Sequence, residues 1–199
     1  MEASYDLRER KRTRTRLMIQ NEAMRLFAEN GYEQTTVEQI AFASAISPRT
    51  FFRYFPTKED VVLWDEYDPI APDLFEARPD DEPAAETLRA IIRETVGGLY
   101  RRDPRQLLFR ARLLGSVPEL RARMLEQQDS GHELLASLLA RRPGARADEL
   151  ELRVIASAFG AAVIIAVDEW QKHDGKGDLL ELVDRAVDAL AAGLRELDR

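Results

Sequence analysis

Hydrophobic residues along this chain recur at intervals of three or four positions, which is the period of an α-helix. In a first predicted helix, from about Arg8 to Asn30, Ile19, Ala23 and Phe27 follow that spacing, and Gly31 suits the position just beyond its end. No period of two is sustained, and no Asn-Gly or Asp-Gly pair lies between two alternating apolar segments, as a hairpin signal requires. The pattern predicts an all-α protein of about nine helices.

Two short helices follow the first, each with its own start signal. Thr36 and Gln39 form a capping-box pattern, which predicts a second helix over about Val37–Ser44. Ser47 as the N-cap and a proline at the first helical position predict a third helix over Pro48–Tyr54. Two short helices joined by so tight a turn are typical of a helix-turn-helix.

The later helices are separated by proline and glycine. Thr57 caps a fourth helix from Lys58 to about Tyr67, and the proline-rich, acidic residues 68–83 are interpreted as a loop between two lobes. A DNA-binding domain of residues 1–57 and a C-terminal domain of residues 58–199 are therefore predicted. The C-terminal domain has five further predicted helices, near Ala84–Arg102, Pro104–Ser116, Pro118–Arg141, Ala147–His173 and Leu179–Leu197.

The predicted helix Ala147–His173 is apolar around its whole circumference between Val154 and Val167. That stretch is shorter than the roughly 20 residues of a membrane span, so no membrane association is expected. Burial on every side is satisfied if its own lobe covers one face and a partner chain the other. Together with the apolar stripe of the last helix, it predicts a homodimer with a four-helix interface.

Composition narrows the classes of function. The chain has 199 residues, no cysteine and two histidines, His132 and His173, and it lacks GxSxG, P-loop and HExxH patterns. These features argue against an enzyme, a metal site or a bound cofactor. The absence of cysteine and of an apolar signal-peptide region favours a cytoplasmic location.

Charge is distributed unevenly. The net charge is −7, but residues 1–60 carry 10 Lys/Arg against 9 Asp/Glu, and six basic residues lie within Arg8–Arg16. We interpret this run as an arm or a frayed helix start that touches phosphate or the minor groove, with Arg12 and Arg14 as contacts. A disordered, solvated tail is the alternative.

The segment Thr35–Val61, TTVEQIAFASAISPRTFFRYFPTKEDV, resembles the DNA-binding signature of the TetR family of transcriptional regulators. The resemblance implies an all-α dimer whose N-terminal lobe binds DNA and whose C-terminal lobe holds a ligand pocket, with repression until an effector binds. The segment departs from the family where Ala45 replaces a common glycine, Arg49 a small residue, and Phe51-Phe52 a Leu-Tyr pair. These departures concern which operator is read.

Candidate DNA contacts lie on the third helix, whose N-terminal residues are expected at base edges in the major groove. Pro48, Arg49, Thr50 and Arg53 are the exposed candidates, with Arg49 as the guanine reader and Arg53 reaching either a base or a phosphate. The alternative for Arg49 is a solvated surface charge. Phosphate anchoring is assigned to Ser47 and, in line with the family resemblance, to Thr36, Tyr54 and Lys58.

Candidate effector contacts are apolar or polar-tipped residues of the C-terminal lobe, most of which also suit a plain core. A looser resemblance, to TetR relatives that sense acyl-CoA-like ligands, ranks a fatty-acyl or acyl-CoA effector first and another lipophilic molecule second. Through helix four, the effector would favour a state whose recognition helices are wrongly spaced for a palindromic operator. The candidates are Ile92, Val96, Tyr100, Phe109, Leu113, Met124, Gln128, His132, Phe159 and Trp170.

Three alternatives stay open at this point. The first is a helical dimer that binds DNA without sequence preference, against which Arg49 and Thr50 at the start of a short recognition helix argue. The second is a transcriptional activator, and the third is a repressor without any ligand. The sequence does not separate the last two.

Overall fold

A computed structural model describes residues 2–67, 69–142 and 147–192, and over these residues the chain is all-α, without strands. This confirms the predicted fold class. Ten helices are found in the described residues, one more than expected. They are α1 (Glu2–Asn30), α2 (Val37–Ala43), α3 (Pro48–Tyr54), α4 (Lys58–Leu63), α5 (Ala71–Glu76), α6 (Ala84–Arg102), α7 (Pro104–Ser116), α8 (Pro118–Ala140), α9 (Glu149–Lys172) and α10 (Leu179–Ala192).

The additional helix is α5, in the proline-rich segment that was expected to be a loop. That interpretation was wrong because Pro72 lies in the first turn, where proline is tolerated, and Phe75 anchors the helix at 4% exposure. Helix α4 is shorter than predicted, since Trp64 leaves the helical conformation at ψ 133°. Asp68, the break at Pro143-Gly144 and the expected helix end at Leu197 lie outside the described residues.

The chain divides into two compact units. Unit 1 comprises Met1–Asp68 and Leu113–Arg123, and unit 2 comprises Pro69–Arg112 and Met124–Arg199. Helix α4 therefore belongs with α1, α2 and α3, whereas the boundary drawn from the sequence between residues 57 and 58 placed it in the C-terminal domain.

The core of unit 1 is built from the apolar faces of its short helices. The three phenylalanines expected to fill it, Phe27, Phe51 and Phe55, are at most 2% exposed. Further buried apolar residues of α1, α2 and α4 belong to this core, and they are Ile19, Ala23, Met24, Ile40, Ala41, Val61 and Val62.

The core of unit 2 is formed mainly by α6, α9 and α10, with the end of α8. Helix α9 starts at a capping box between Asp148 and Glu151 and buries one stripe of side chains at helical spacing. That stripe consists of Leu152, Ala156, Phe159, Ala162, Ala166 and Trp170. All of these residues except Ala162 pack in one cluster with Leu179, Val183 and Val187 of α10.

Candidate nucleic-acid interface

The caps of α2 and α3 are those that the sequence predicts. The Gln39 amide N–H donates to Thr36 Oγ1 over 3.2 Å, and the Thr36 N–H donates to Gln39 Oε1 over 2.8 Å. Ser47 Oγ accepts from the Thr50 N–H at 3.1 Å and shares a hydrogen bond with the Thr50 hydroxyl at 2.9 Å. The turn between the helices passes through Ala45 at φ 53°, the left-handed conformation that explains the glycine common in the family.

Helix α3 presents a single charged face to solvent. Pro48, Arg49, Phe52 and Arg53 are exposed, while Phe51 on the opposite side is fully buried. The Arg53 guanidinium lies 5.3 Å from the centre of the half-buried Tyr54 ring. Two guanidinium groups thus share the face that a helix-turn-helix lays into a DNA groove.

Lys58, expected to bind phosphate, makes structural contacts within unit 1. Its ammonium donates to the carbonyl oxygens of Tyr32 and Thr35 over 3.0 and 3.4 Å and lies 4.0 Å from the centre of the Tyr32 ring. An ammonium has three N–H donors, and these two carbonyls account for two of them.

The Tyr32 hydroxyl donates to Glu59 Oε1 over 2.9 Å on the same side of α4. Burial, and then this hydrogen bond to Glu59, raise the pKa of Tyr32. Burial alone would raise the pKa of Glu59, but hydrogen bonds from its backbone N–H and from the Tyr32 hydroxyl outweigh it, so that pKa is lowered. The first turn of α4 is therefore fixed to the segment that follows α1.

The basic run was expected to be an arm or a frayed helix start. It is helical and lies inside α1, which begins at Glu2, so an extended arm and a disordered tail are both corrected. Arg8, Lys11, Arg12 and Arg14 are exposed on α1. An ion pair of 3.9 Å between Glu9 and Arg12 supports this part of the helix. Arg12 and Arg14 thus extend from a helix toward solvent.

Two polar residues of α1 that sequence reasoning did not assign are directed into unit 1. Gln20 is 8% exposed, and its Nε2 donates to the carbonyl oxygens of Val61 and Trp64. Arg16 Nη2 donates to the carbonyl oxygen of Tyr54 over 3.4 Å. The available signal was that Gln20 interrupts the buried apolar stripe of α1 directly after Ile19.

The predicted effector residues are partly gathered in unit 2. Ile92, Val96 and Tyr100 of α6 pack against the cluster that contains Phe159 and Trp170. The Tyr100 and Trp170 rings meet edge to face, with centroids 5.7 Å apart. This cluster is the apolar part of the candidate effector site.

Other members of that set lie on different parts of the chain. His132 packs on α9, where a Cβ atom added to Gly160 would lie 2.3 Å from its Nε2. Leu113 belongs to unit 1, and Phe109, Met124 and Gln128 are half-buried. Two surface hollows of unit 2, of about 570 and 540 Å³, are lined by none of the ten candidates. The smaller is bounded by Glu133, Ala136, Ser137, Ala140, Glu149, Leu152 and Arg153.

Helix α9 also exposes apolar residues, and all of them except Ile155 lie on the side opposite its buried stripe. By length and composition alone α9 would suffice to cross a membrane. Within this unit, 22% of its most apolar 18-residue stretch is buried. The sequence predicted that one face of this helix packs on its own lobe and the other on a partner chain. The first of these two contacts is present in unit 2. The exposed residues are Leu150 (69%), Val154 (58%), Ile155 (44%), Ile164 (39%) and Ile165 (64%).

Comparison with known proteins decides the family. Residues 19–63 match the family described as "Bacterial regulatory proteins, tetR family", and residues 82–195, more than half of the chain, match "MftR C-terminal domain". The chain belongs to the TetR family of transcriptional regulators. Members of this family are DNA-binding regulators rather than enzymes.

Relatives of this TetR-family chain extend the comparison. It is 35% identical to the HTH-type transcriptional regulator TcmR of Streptomyces glaucescens, over 82% of this chain and 76% of that protein. FadR of Thermus thermophilus, a TetR-family repressor solved with lauroyl-CoA, is 26% identical at a TM-score of 0.59 and is matched over 90% of this chain and 94% of its own. FadR of Bacillus subtilis, solved with stearoyl-CoA, is 25% identical at a TM-score of 0.64, over 89% and 98%.

Proposed function

We propose that this regulator is a repressor that binds a palindromic operator as a homodimer and is released by a fatty-acyl or acyl-CoA effector. The observation that carries the proposal is the exposed face of α3, where Arg49 and Arg53 lie together on a short, doubly capped helix. A guanidinium at that position is suited to bind O6 and N7 of guanine. Arg12, Arg14, Thr36, Ser47, Tyr54 and Lys58 supply phosphate contacts in this proposal.

The proposed dimer uses the exposed apolar side of α9 together with α10. Val154, Ile164 and Ile165 are exposed on one side of α9, and soluble proteins leave large apolar patches exposed mainly where a partner binds. A two-fold axis through this interface gives the dimer two copies of α3, one for each half-site. An operator with half-sites about 34–36 Å apart requires such a pair. This accounts for the apolar character of α9 without a membrane and fits a cytoplasmic protein.

The proposed effector is an acyl chain held by the nine candidate residues that belong to unit 2. Support comes from the apolar cluster around Phe159 and Trp170, and from the two FadR proteins, whose structures contain acyl-CoA. The effector must prefer the state with misplaced recognition helices by several kcal/mol to release the operator. Gln20 of α1 is hydrogen-bonded to the end of α4. In the proposed release mechanism, α1 and α4 therefore move together.

The test is to select binding sites from random DNA with the purified full-length protein and then titrate the complex with dodecanoyl-CoA. We expect a palindrome to be enriched and the complex to dissociate, with coenzyme A alone as the inactive control. Equal affinity for random duplexes would replace the proposal with non-specific DNA binding. A complex that survives saturating dodecanoyl-CoA would remove acyl-CoA as the effector, and hydrolysis of the thioester would indicate an enzyme.

A further inference from the structure

Arg16 closes the basic run of α1, but its side chain turns into unit 1 instead of toward solvent. The guanidinium carbon lies 5.8 Å from the centre of the Phe55 ring and 5.6 Å from that of Trp64. Guanidinium groups stack favourably on aromatic faces. Burial, and then repulsion from Arg12, lower the pKa of Arg16. Arg16 is therefore held in a different environment from the exposed Arg12 one turn earlier.

The partners of Arg16 are the carboxyl-terminal ends of two helices. Its Nη2 donates to the carbonyl oxygen of Tyr54, the last residue of α3, and Phe55 is the C-cap of that helix. Trp64 is the C-cap of α4. The last carbonyls of a helix lack intrahelical partners and carry a partial negative charge, so a cation there is stabilising.

One turn further along α1, the side chain of Gln20 also binds the carboxyl-terminal end of a helix. Its amide caps the end of α4 through Val61 and Trp64, as Arg16 caps the end of α3. One face of α1 thereby holds the ends of both the recognition helix and the helix that follows it. The same helix carries Arg12 and Arg14 on its exposed surface.

We propose that Arg16 is a positioning residue that fixes α3 against α1, so that phosphate contacts made by α1 set the register in which Arg49 meets the bases. The inference rests on the proposed function, in which α3 reads the operator. Phosphate contacts orient a protein on the duplex, whereas base contacts give sequence preference, so a rigid link between them is needed for both to fit at once. In this proposal Arg16 acts through α3 and makes no phosphate contact of its own, because its Nη2 is engaged by the Tyr54 carbonyl and its guanidinium lies near the two rings.

Salt dependence separates a positioning residue from a phosphate contact. Each phosphate contact adds close to one unit to the slope of log K against log salt, on specific and non-specific DNA alike. A residue that only positions α3 leaves this slope unchanged and lowers the preference for the operator. Arg12 is the matched comparison, since it is the same residue type on the same helix.

The experiment measures affinities of full-length wild type, Arg16→Met and Arg12→Met for the selected operator and for a random duplex, across a salt series. Arg12→Met should lower the slope by about 1 on both duplexes and leave the operator-to-random ratio near the wild-type value. Arg16→Met should keep the slope and the affinity for random DNA, and lower operator affinity roughly 5- to 150-fold, the equivalent of one lost base contact.

Two results would overturn the inference. One is a slope reduction for Arg16→Met equal to that of Arg12→Met, and the other is an unchanged operator-to-random ratio. If Arg16→Met does not fold, Trp64→Leu removes one of the two rings and must also lower the ratio at constant slope; an unchanged ratio contradicts the inference. A wild-type protein without operator preference would instead refute the proposed function.

Discussion

The side-chain amide of Gln20 donates to the carbonyl oxygen of Trp64 over 2.8 Å, although the residues are 44 positions apart. The same nitrogen donates to the carbonyl oxygen of Val61 over 2.9 Å. Because both carbonyls belong to the end of α4, a side chain of α1 provides the C-terminal cap of another helix. This contact ties α4 to α1 within unit 1.

Gln20→Met should lower the free energy of unfolding by about 1–3 kcal/mol, because two hydrogen bonds are lost and two carbonyls are left without donors. Urea unfolding followed by circular dichroism measures the change. Gln34→Met, at an exposed glutamine in the turn after α1, is the control and should stay within about 0.5 kcal/mol of wild type. Equal midpoints for both variants would show that the cap contributes nothing.

Glu82 should make stability depend on pH. Hydrogen bonds from Arg78, and then from Thr87 Oγ1 at 2.7 Å, lower the pKa of Glu82 to about 2. A carboxylate whose folded pKa lies below its unfolded value, about 4.3, stabilises the protein above that value and loses the effect as pH falls toward 2.

Glu82→Gln should therefore melt at a lower temperature than wild type at pH 7, with the difference shrinking as pH falls from about 4 to 2. Thermal unfolding at several pH values measures it. Asp81→Asn, on the same loop with an exposed side chain, serves as the control. A difference between wild type and Glu82→Gln that stays constant down to pH 2 would contradict this role.

Gly160 and His132 should be coupled. A Cβ on Gly160 would overlap the imidazole, with Nε2 at 2.3 Å and Cδ2 at 2.9 Å. Gly160→Ala should destabilise the wild-type protein, whereas in a His132→Ala background the same change should stabilise it by about 0.5–1 kcal/mol through helix propensity. A double-mutant cycle in urea gives both values, and stabilisation by Gly160→Ala in both backgrounds would mean that the ring moves aside freely.

Ile165→Asp should convert the proposed dimer into monomers, since it places a charge on the exposed apolar side of α9. Sedimentation velocity at micromolar concentration measures the change. Phe42→Asp is the control, because Phe42 is an equally apolar and even more exposed residue, at 88%, on α2 of unit 1. If Ile165→Asp sediments as wild type does, this side of α9 is not the interface.

The sequence predicted what is encoded locally. The caps at Thr36, Ser47 and Thr57 depend on residues three positions apart, and the structure contains all three. The buried phenylalanines of unit 1 followed from helical periodicity in the same way. Exposure of Arg49 and Arg53 on α3 also follows from that spacing.

Contacts between distant segments could not be predicted in this way. Lys58 has the residue type of a phosphate contact, and only the fold shows that it also binds the carbonyls of Tyr32 and Thr35. In the sequence, Arg16 is one of six basic residues in a run. Only the fold shows that it lies against the rings of Phe55 and Trp64. Helix α5 was missed because a proline-rich segment has weak helical signals. The burial of Phe75, which is a tertiary contact, stabilises this helix.

Base-by-base substitution of the selected operator, measured with wild type and Arg49→Ala, tests the placement of α3 most directly. Wild type should lose about 1–3 kcal/mol at one guanine in each half-site, and Arg49→Ala should bind more weakly and no longer distinguish that base. An Arg49→Ala protein whose affinity and base preferences equal those of wild type would contradict the reading of DNA by this helix.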